Sequence, residues 1–196
     1  MSAPSYLPLV EQLASLEPPV FVFGGIAEDA ILDGSITRPH GDVDVLVARA
    51  MLGRHLEQLG AFGFTDFDVL FESYPGVPLV LGATHGGLSV ELGVFDELEP
   101  GSASFVLPVQ AGAVRITLPA DTLTFPVASI DGVPIRTISP LALYQLRQAL
   151  IRTGAFGPAR DKDRAVQARL REELLGNAPE ADLSPRIEPV PRSAGG

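Results

Sequence analysis

The sequence contains no cysteine, a single lysine and no long uninterrupted apolar run. Without cysteine, disulfide scaffolds, thiolate zinc sites and cysteine nucleophiles are excluded. The longest uncharged stretch, residues 73–90, contains Pro75, Pro78 and several glycines, which excludes a membrane-spanning helix there. The first residues lack the charged-then-apolar layout of a signal peptide. We therefore expect a cytoplasmic protein with no membrane partner.

The sequence also has no excess of basic residues, since its formal net charge is −10. A protein that coats DNA with a basic surface is therefore not expected. The charge is uneven: residues 61–131 hold nine acidic residues and one arginine, whereas residues 147–171 hold seven basic residues and two aspartates. This contrast predicts two surfaces with different chemistry, although two solvated faces would give the same pattern.

The 196 residues suffice for one globular domain with or without a small appendage. Helices are predicted at 6–16, 26–32, 49–59, 139–152 and 158–174, and strands at 20–23, 42–47, 66–72, 79–83, 88–95, 105–109 and 114–118. Asp131-Gly132 is typical of a hairpin turn. We expect an α+β (α/β) fold with a mixed sheet, divided into a core (residues 1–137), a helical part (138–176) and a disordered tail (177–196).

Asp42 and Asp44 lie on a predicted strand in which aspartate alternates with valine. Because side chains on a strand alternate between faces, the two carboxylates project on one side and Val43 and Val45 on the other. The carboxylates lie about 7 Å apart along the strand, so their tips can converge on one divalent metal ion. Oxygen ligands suit Mg²⁺, which keeps positions open for phosphate oxygens. The same pattern also occurs on edge strands with a polar face.

Two further features make a metal–phosphate site the stronger interpretation. Gly24 and Gly25 lie between a predicted strand and a predicted helix, where backbone N–H groups and the helix dipole attract anions such as a triphosphate. Their missing Cβ atoms let a phosphate approach the backbone. Glu91 lies on a strand whose other face is apolar, so it can share a sheet face with Asp42 and Asp44. Three acids on one face repel one another unless cations are present.

The segments Gly24-Gly25, Arg38-x-His40 and Asp42-x-Asp44 resemble, in this order, the nucleotidyltransferases of the DNA polymerase β-like superfamily. Within it, residues 20–47 resemble the aminoglycoside (2''-) adenylyltransferase-like family. The resemblance implies the nucleotidyltransferase fold, with Asp42, Asp44 and Glu91 as catalytic, Mg²⁺-binding residues. At the position of Glu91 the family often has Asp. The resemblance also implies a set of nucleotide-binding residues: Gly24, Gly25, Arg38, His40 and Lys162.

The implied reaction transfers NMP, most simply AMP from ATP, to an acceptor hydroxyl and releases pyrophosphate, with one or two Mg²⁺ ions. Glu91 would share a metal ion or accept the proton of the hydroxyl. The acidic middle region favours a small cationic acceptor such as an aminoglycoside. The arginine-rich stretch favours instead a toxin that modifies tRNA 3' ends. A third alternative, a non-catalytic nucleotide-binding relative, is suggested by Glu91 in place of Asp.

The remaining polar candidates are assigned structural roles. Asp29 is predicted to stabilise its helix or to pair with Arg38. His55 is predicted to lie on the surface of a helix, and His85 in a loop. The three histidines are scattered along the chain and predict no zinc site.

Overall fold

The computed structural model describes residues 6–110, 112–155, 157, 161–176 and 178–191. In these ranges the helices are α1 (Leu7–Ala14), α2 (Gly24–Leu32), α3 (Leu52–Ala61), α4 (Pro140–Thr153), α5 (Asp161–Arg169) and α6 (Glu180–Leu183). The strands are β1 (Phe21–Phe23), β2 (Val43–Ala48), β3 (Asp68–Tyr74), β4 (Val77–His85), β5 (Leu88–Phe95), β6 (Ser104–Val109), β7 (Gly112–Thr117), β8 (Ala128–Ile130), β9 (Val133–Ile135) and β10 (Arg186–Pro189). A 3₁₀ turn (Arg49–Met51) precedes α3, and a π-helical turn (Leu170–Leu175) extends α5.

The main sheet has five strands in the order β1-β2-β5-β4-β3. Strands β2 and β5 are parallel, and the other neighbouring pairs are antiparallel. The predicted α+β fold with a mixed sheet is therefore confirmed. In the β2–β5 pair, Asp44 stands beside Glu91 and Val45 beside Leu92.

The apolar faces of β2 and β5 determine this register. Their alternate side chains are at most 1% exposed and belong to the core: Val43, Val45, Val47, Val90, Leu92 and Val94. A shift of either strand by one residue would drive its carboxylate into the core and its valines out of it. Burial of one face therefore places Asp44 and Glu91 side by side on the other.

The turns and caps of the C-terminal half follow local chemistry. Asp131 and Gly132 adopt φ angles of 48° and 84° between β8 and β9, as the predicted hairpin turn requires. Helix α4 begins as predicted, because Ser139 Oγ accepts a hydrogen bond from the Ala142 N–H and Pro140 occupies the first turn. The predicted second helix begins outside the described residues, at 158–160, and is described from Asp161. No helix in the described ranges has the length and apolar character that a bilayer crossing needs.

The expected disordered tail is wrong for the described residues 178–191, which contain α6 and β10. Strand β10 pairs antiparallel with β7, in a second sheet of order β10-β7-β6. Leu183 is fully buried and Ile187 packs against the core. Proline is tolerated because β10 is an edge strand. Burial of these two apolar side chains therefore stabilises an ordered segment despite its proline-rich composition. Residues 177 and 192–196 of the predicted tail lie outside the described ranges.

The surface position predicted for His55 is also wrong. His55 is 1% exposed, and its Nε2 donates a hydrogen bond to the Pro18 carbonyl at 2.8 Å. The imidazole thus joins α3 to the segment that follows α1. His85 ends β4 and its ring meets Phe64 edge-on, with centroids 5.7 Å apart.

Candidate active site

A cavity of about 810 Å³ brings together all eight side chains and glycines that the sequence singles out. They are Gly24, Gly25, Arg38, His40, Asp42, Asp44, Glu91 and Lys162. The strands β2 and β5, the N-terminal end of α2, and the helices α4 and α5 all contribute to its lining. Residues far apart in the sequence therefore share one concave surface.

Three carboxylates form what we call the acidic wall: Asp42, Asp44 and Glu91. Asp44 and Glu91 are paired across β2 and β5, and Asp42 immediately precedes β2. Burial raises the pKa of Asp44 to about 8, with further increases from the charges of Asp42 and Glu91, while Lys162 opposes them. Burial also raises the pKa of Glu91, as does the charge of Asp42. Both shifts indicate a wall that favours protons or cations.

Two observations bear on whether the acidic wall can bind a metal ion. Among the described residues, no group of three or more histidine, aspartate and glutamate side chains stands in a ready-made metal-binding arrangement. The set of Asp42, Asp44 and Glu91 as joint metal ligands thus stays a prediction. Mg²⁺ is commonly held by one or two carboxylates together with substrate phosphates, so it needs no complete protein cage. Mutually repelling carboxylates in a partly buried cavity fit such an ion.

The two glycines make room for the site's own side chains. Gly24 has a φ of 64°, and a Cβ there would collide with Asp44 Oδ2. A Cβ on Gly25 would lie 2.7 Å from His40 Nδ1 and 3.0 Å from an Arg38 guanidinium nitrogen. Helix α2 begins at Gly24 itself rather than at the predicted Ile26. The absence of side chains thus lets the acids and bases of the cavity approach the helix N-terminus closely.

Asp29 holds the loop that leads to Asp42. Its carboxylate, on α2, accepts hydrogen bonds from the Thr37 backbone N–H at 2.9 Å and the Thr37 hydroxyl at 2.8 Å. His40 Nε2 lies 2.8 Å from the same carboxylate. The predicted alternative in which Asp29 pairs with Arg38 is wrong, because Arg38 contacts Glu28 instead.

A second group of charged residues, the basic wall, consists of Glu28, Arg38, Arg147, Lys162 and Asp163, all of which line the cavity. Glu28 is 3% exposed and accepts from Arg38 Nη2 at 3.3 Å and from Arg147 Nη2. Arg147 Nη1 also donates to Asp163 at 2.7 Å. Sequence reasoning missed Glu28, Arg147 and Asp163. The available signal was an arginine within the apolar stripe of α4.

Three other arginines of residues 147–171 form hydrogen bonds or ion pairs within the chain. Arg169 makes two hydrogen bonds of 3.1 Å to the carboxylate of Asp33, at the end of α2. Arg164 pairs with Asp161, and Arg171 donates to backbone carbonyls. The stretch thus binds the helices to each other and to the core. The cavity also has an apolar lining: Phe23, Val80, Leu143, Leu146, Leu150 and Ile151.

Neither the protein-family models nor the curated proteins match this chain. Among solved structures, the chain is similar to the solution structure of the antibiotic-resistance factor ANT(2'')-Ia, with 17% identity and a TM-score of 0.58 over 84% of this chain and 77% of that chain. It is similar to the same degree to the crystal structure of ANT(2'')-Ia in complex with adenylyl-2''-tobramycin, over 84% of both chains. These likenesses confirm the aminoglycoside adenylyltransferase-like fold implied by the motifs.

Proposed function

We propose that the chain is a Mg²⁺-dependent nucleotidyltransferase that moves NMP, in the simplest case AMP from ATP, to a hydroxyl of a small acceptor and releases pyrophosphate. The observation that carries the proposal is the meeting of the acidic wall and the basic wall in one cavity at the N-terminus of α2. The carboxylates suit a metal ion, and the arginines, the lysine and the helix terminus suit phosphates.

On the acidic wall, Asp42 and Asp44 would hold Mg²⁺. When bound, the ion supplies charge neutralisation at the reacting phosphate and the pyrophosphate leaving group. Glu91 would accept the proton of the attacking hydroxyl, and its raised pKa brings it closer to neutral pH, where a general base works best. The Glu91 carboxylate is beside Asp44 in the sheet register, which supports a shared task.

On the basic wall, Arg38 and Lys162 would bind phosphate oxygens through charge-assisted hydrogen bonds. The backbone of Gly24 and Gly25 begins α2 and would add N–H donors and the positive end of the helix dipole. His40, anchored by Asp29, would fix the loop beside the nucleotide.

A small cationic acceptor is the better-supported of the two acceptor classes. The formal net charge of −10 favours attraction of a polycation, and one similar solved structure holds adenylyl-2''-tobramycin. Three of the arginines that favour a tRNA acceptor, Arg147, Arg164 and Arg169, are paired with carboxylates of the same chain. An aminoglycoside is therefore the first acceptor to test.

The test incubates the purified chain with each nucleoside triphosphate and Mg²⁺, either with a panel of aminoglycosides or with tRNA, and measures triphosphate binding, pyrophosphate release and adduct mass. We expect turnover that disappears in Asp42→Ala and in EDTA. A matched control is Asp68→Asn, which changes an exposed aspartate on β3. Turnover with tRNA but not with any aminoglycoside would identify the toxin alternative. Triphosphate binding without turnover on either acceptor class would identify a non-catalytic relative.

A further inference from the structure

Arg147 occupies an unusual place on α4. It shares the cavity-lining stripe of this helix with four aliphatic residues: Leu143, Leu146, Leu150 and Ile151. Their spacing of three and four residues puts all five side chains on one face. A guanidinium in the middle of an apolar stripe has a desolvation cost that a leucine would avoid. Its presence there therefore needs an explanation.

The ion pairs of Arg147 with Glu28 and Asp163 do not by themselves explain this position. Glu28 and Asp163 neutralise it, but buried ion pairs are frequently no more stabilising than apolar residues of similar size. The side chain of Arg147 keeps 19% of its surface exposed while it lines the cavity. An arginine has five N–H donors, so one guanidinium can contact carboxylates and a phosphate group together.

The charge balance points in the same direction. Among the described residues, the basic wall combines the three cations Arg38, Arg147 and Lys162 with the two carboxylates Glu28 and Asp163. One net positive charge remains on this wall, beside the N-terminal end of α2. Glu28 is bonded to both arginines, so it limits the positions of two guanidiniums at once.

We propose that Arg147 binds phosphate oxygens of the nucleoside triphosphate, and that Glu28 positions the guanidiniums of Arg147 and Arg38 without touching the nucleotide. This inference rests on the proposed function, and it adds a cation that sequence motifs do not reveal. Glu28 has two opposing effects: it orders the arginines, and its negative charge competes with the phosphates for them.

The test measures dissociation constants by calorimetry for a triphosphate, the monophosphate and the nucleoside, using the base that the wild-type chain prefers. Arg147→Gln is expected to weaken triphosphate binding about tenfold or more, the usual effect of losing a charged hydrogen-bond partner. The loss should be smaller for the monophosphate and absent for the nucleoside. Glu28→Gln keeps a hydrogen-bond acceptor but removes the competing charge, so triphosphate binding should be unchanged or tighter.

Two further variants separate binding from folding. Arg147→Gln leaves the buried Glu28 with a single partner, which destabilises the fold. The double variant Glu28→Gln/Arg147→Gln removes both charges, and we expect a thermal midpoint near that of wild type together with weak triphosphate binding. Arg152→Gln is the matched control, because Arg152 is exposed on the same helix and does not line the cavity.

Each outcome has a distinct meaning. The inference is supported if Arg147→Gln weakens triphosphate binding, Glu28→Gln leaves it unchanged or makes it tighter, and neither variant affects the nucleoside. Equal weakening by both variants for the triphosphate and the nucleoside would show that the pair only stabilises the fold, and would overturn it. Wild-type binding with an unaffected Arg147→Gln variant would overturn it as well, with the proposed function intact. A wild-type chain that binds no triphosphate would instead remove the proposed function.

Discussion

The acidic wall and the basic wall share one cavity but are built in opposite ways. On the acidic wall, Asp42, Asp44 and Glu91 stand together, and burial and the charge of Asp42 raise the pKa of Asp44 and of Glu91. On the basic wall, by contrast, Arg38 and Arg147 each have carboxylate partners. The first wall is therefore unfavourable until a cation arrives, whereas the second is already close to neutral. The acidic wall therefore depends more strongly on a bound cation than the basic wall depends on a bound anion.

The largest effect is expected from neutralising Asp44, the acidic-wall carboxylate whose pKa is raised by burial to about 8. Asp44→Asn keeps the shape of the side chain but removes the charge that would hold Mg²⁺. We expect loss of measurable nucleotidyl transfer, since electrostatic groups at the reacting centre contribute about 10²–10³-fold each or more. The measurement is pyrophosphate release in the presence of saturating nucleotide. Full activity of Asp44→Asn would show that the charge of Asp44 has no catalytic task.

Neutralising Glu91, on the same wall, is expected to lower activity less than neutralising Asp44. Removing a general base costs about 10²–10⁴-fold, and we expect Glu91→Gln to lower kcat by about 100-fold while the triphosphate still binds. Glu91→Asp keeps the carboxylate on a shorter arm and should lose less. If Glu91→Gln and Glu91→Asp have the same kcat, Glu91 does not act through its charge.

The free energy of unfolding of the metal-free chain should show how strongly the charged acidic wall destabilises the fold. Because the pKa of Asp44 is raised from 3.8 to about 8, the folded chain binds this proton more tightly than the unfolded chain does. Protonated Asp44 makes its full contribution to the free energy of unfolding below about pH 4. This contribution is lost as the pH rises to about 8, and it is on the order of a few kcal/mol. Denaturation in urea with EDTA at several pH values measures it. Asp44→Asn should be more stable than wild type at pH 8 and equal to it near pH 4.

The difference between the acidic wall and the basic wall explains which part of the site could be predicted from the sequence. The acidic wall follows from alternation along two strands, because burial of the valines leaves Asp44 and Glu91 with only one possible face. The basic wall depends on contacts between distant segments: Glu28 and Arg147 are separated by 119 positions and meet only when α4 packs near α2. No local pattern reports such a meeting. The burial of His55 was missed for the same reason, since its partner, Pro18, lies 37 positions away.

The smallest effect is expected from breaking the Arg169–Asp33 ion pair. This pair lies outside the cavity and joins α5, which carries Lys162, to the end of α2. Arg169 bonds both oxygens of Asp33, but the two side chains remain 44% and 26% exposed. Exposed pairs contribute little, so Asp33→Asn should lower the thermal midpoint by about one or two degrees.

The more informative readout of Asp33→Asn is the KM for the triphosphate, because α5 carries Lys162 into the cavity. We expect KM to rise about two- to threefold with kcat unchanged, since the pair fixes a helix and touches no reacting group. Arg164→Gln is the control: it breaks an exposed pair with Asp161 inside α5 and should leave KM unaltered. A KM that stays constant in Asp33→Asn while stability falls would mean that α5 holds Lys162 through its other contacts. The geometry of the basic wall would then not depend on the distant Asp33–Arg169 ion pair.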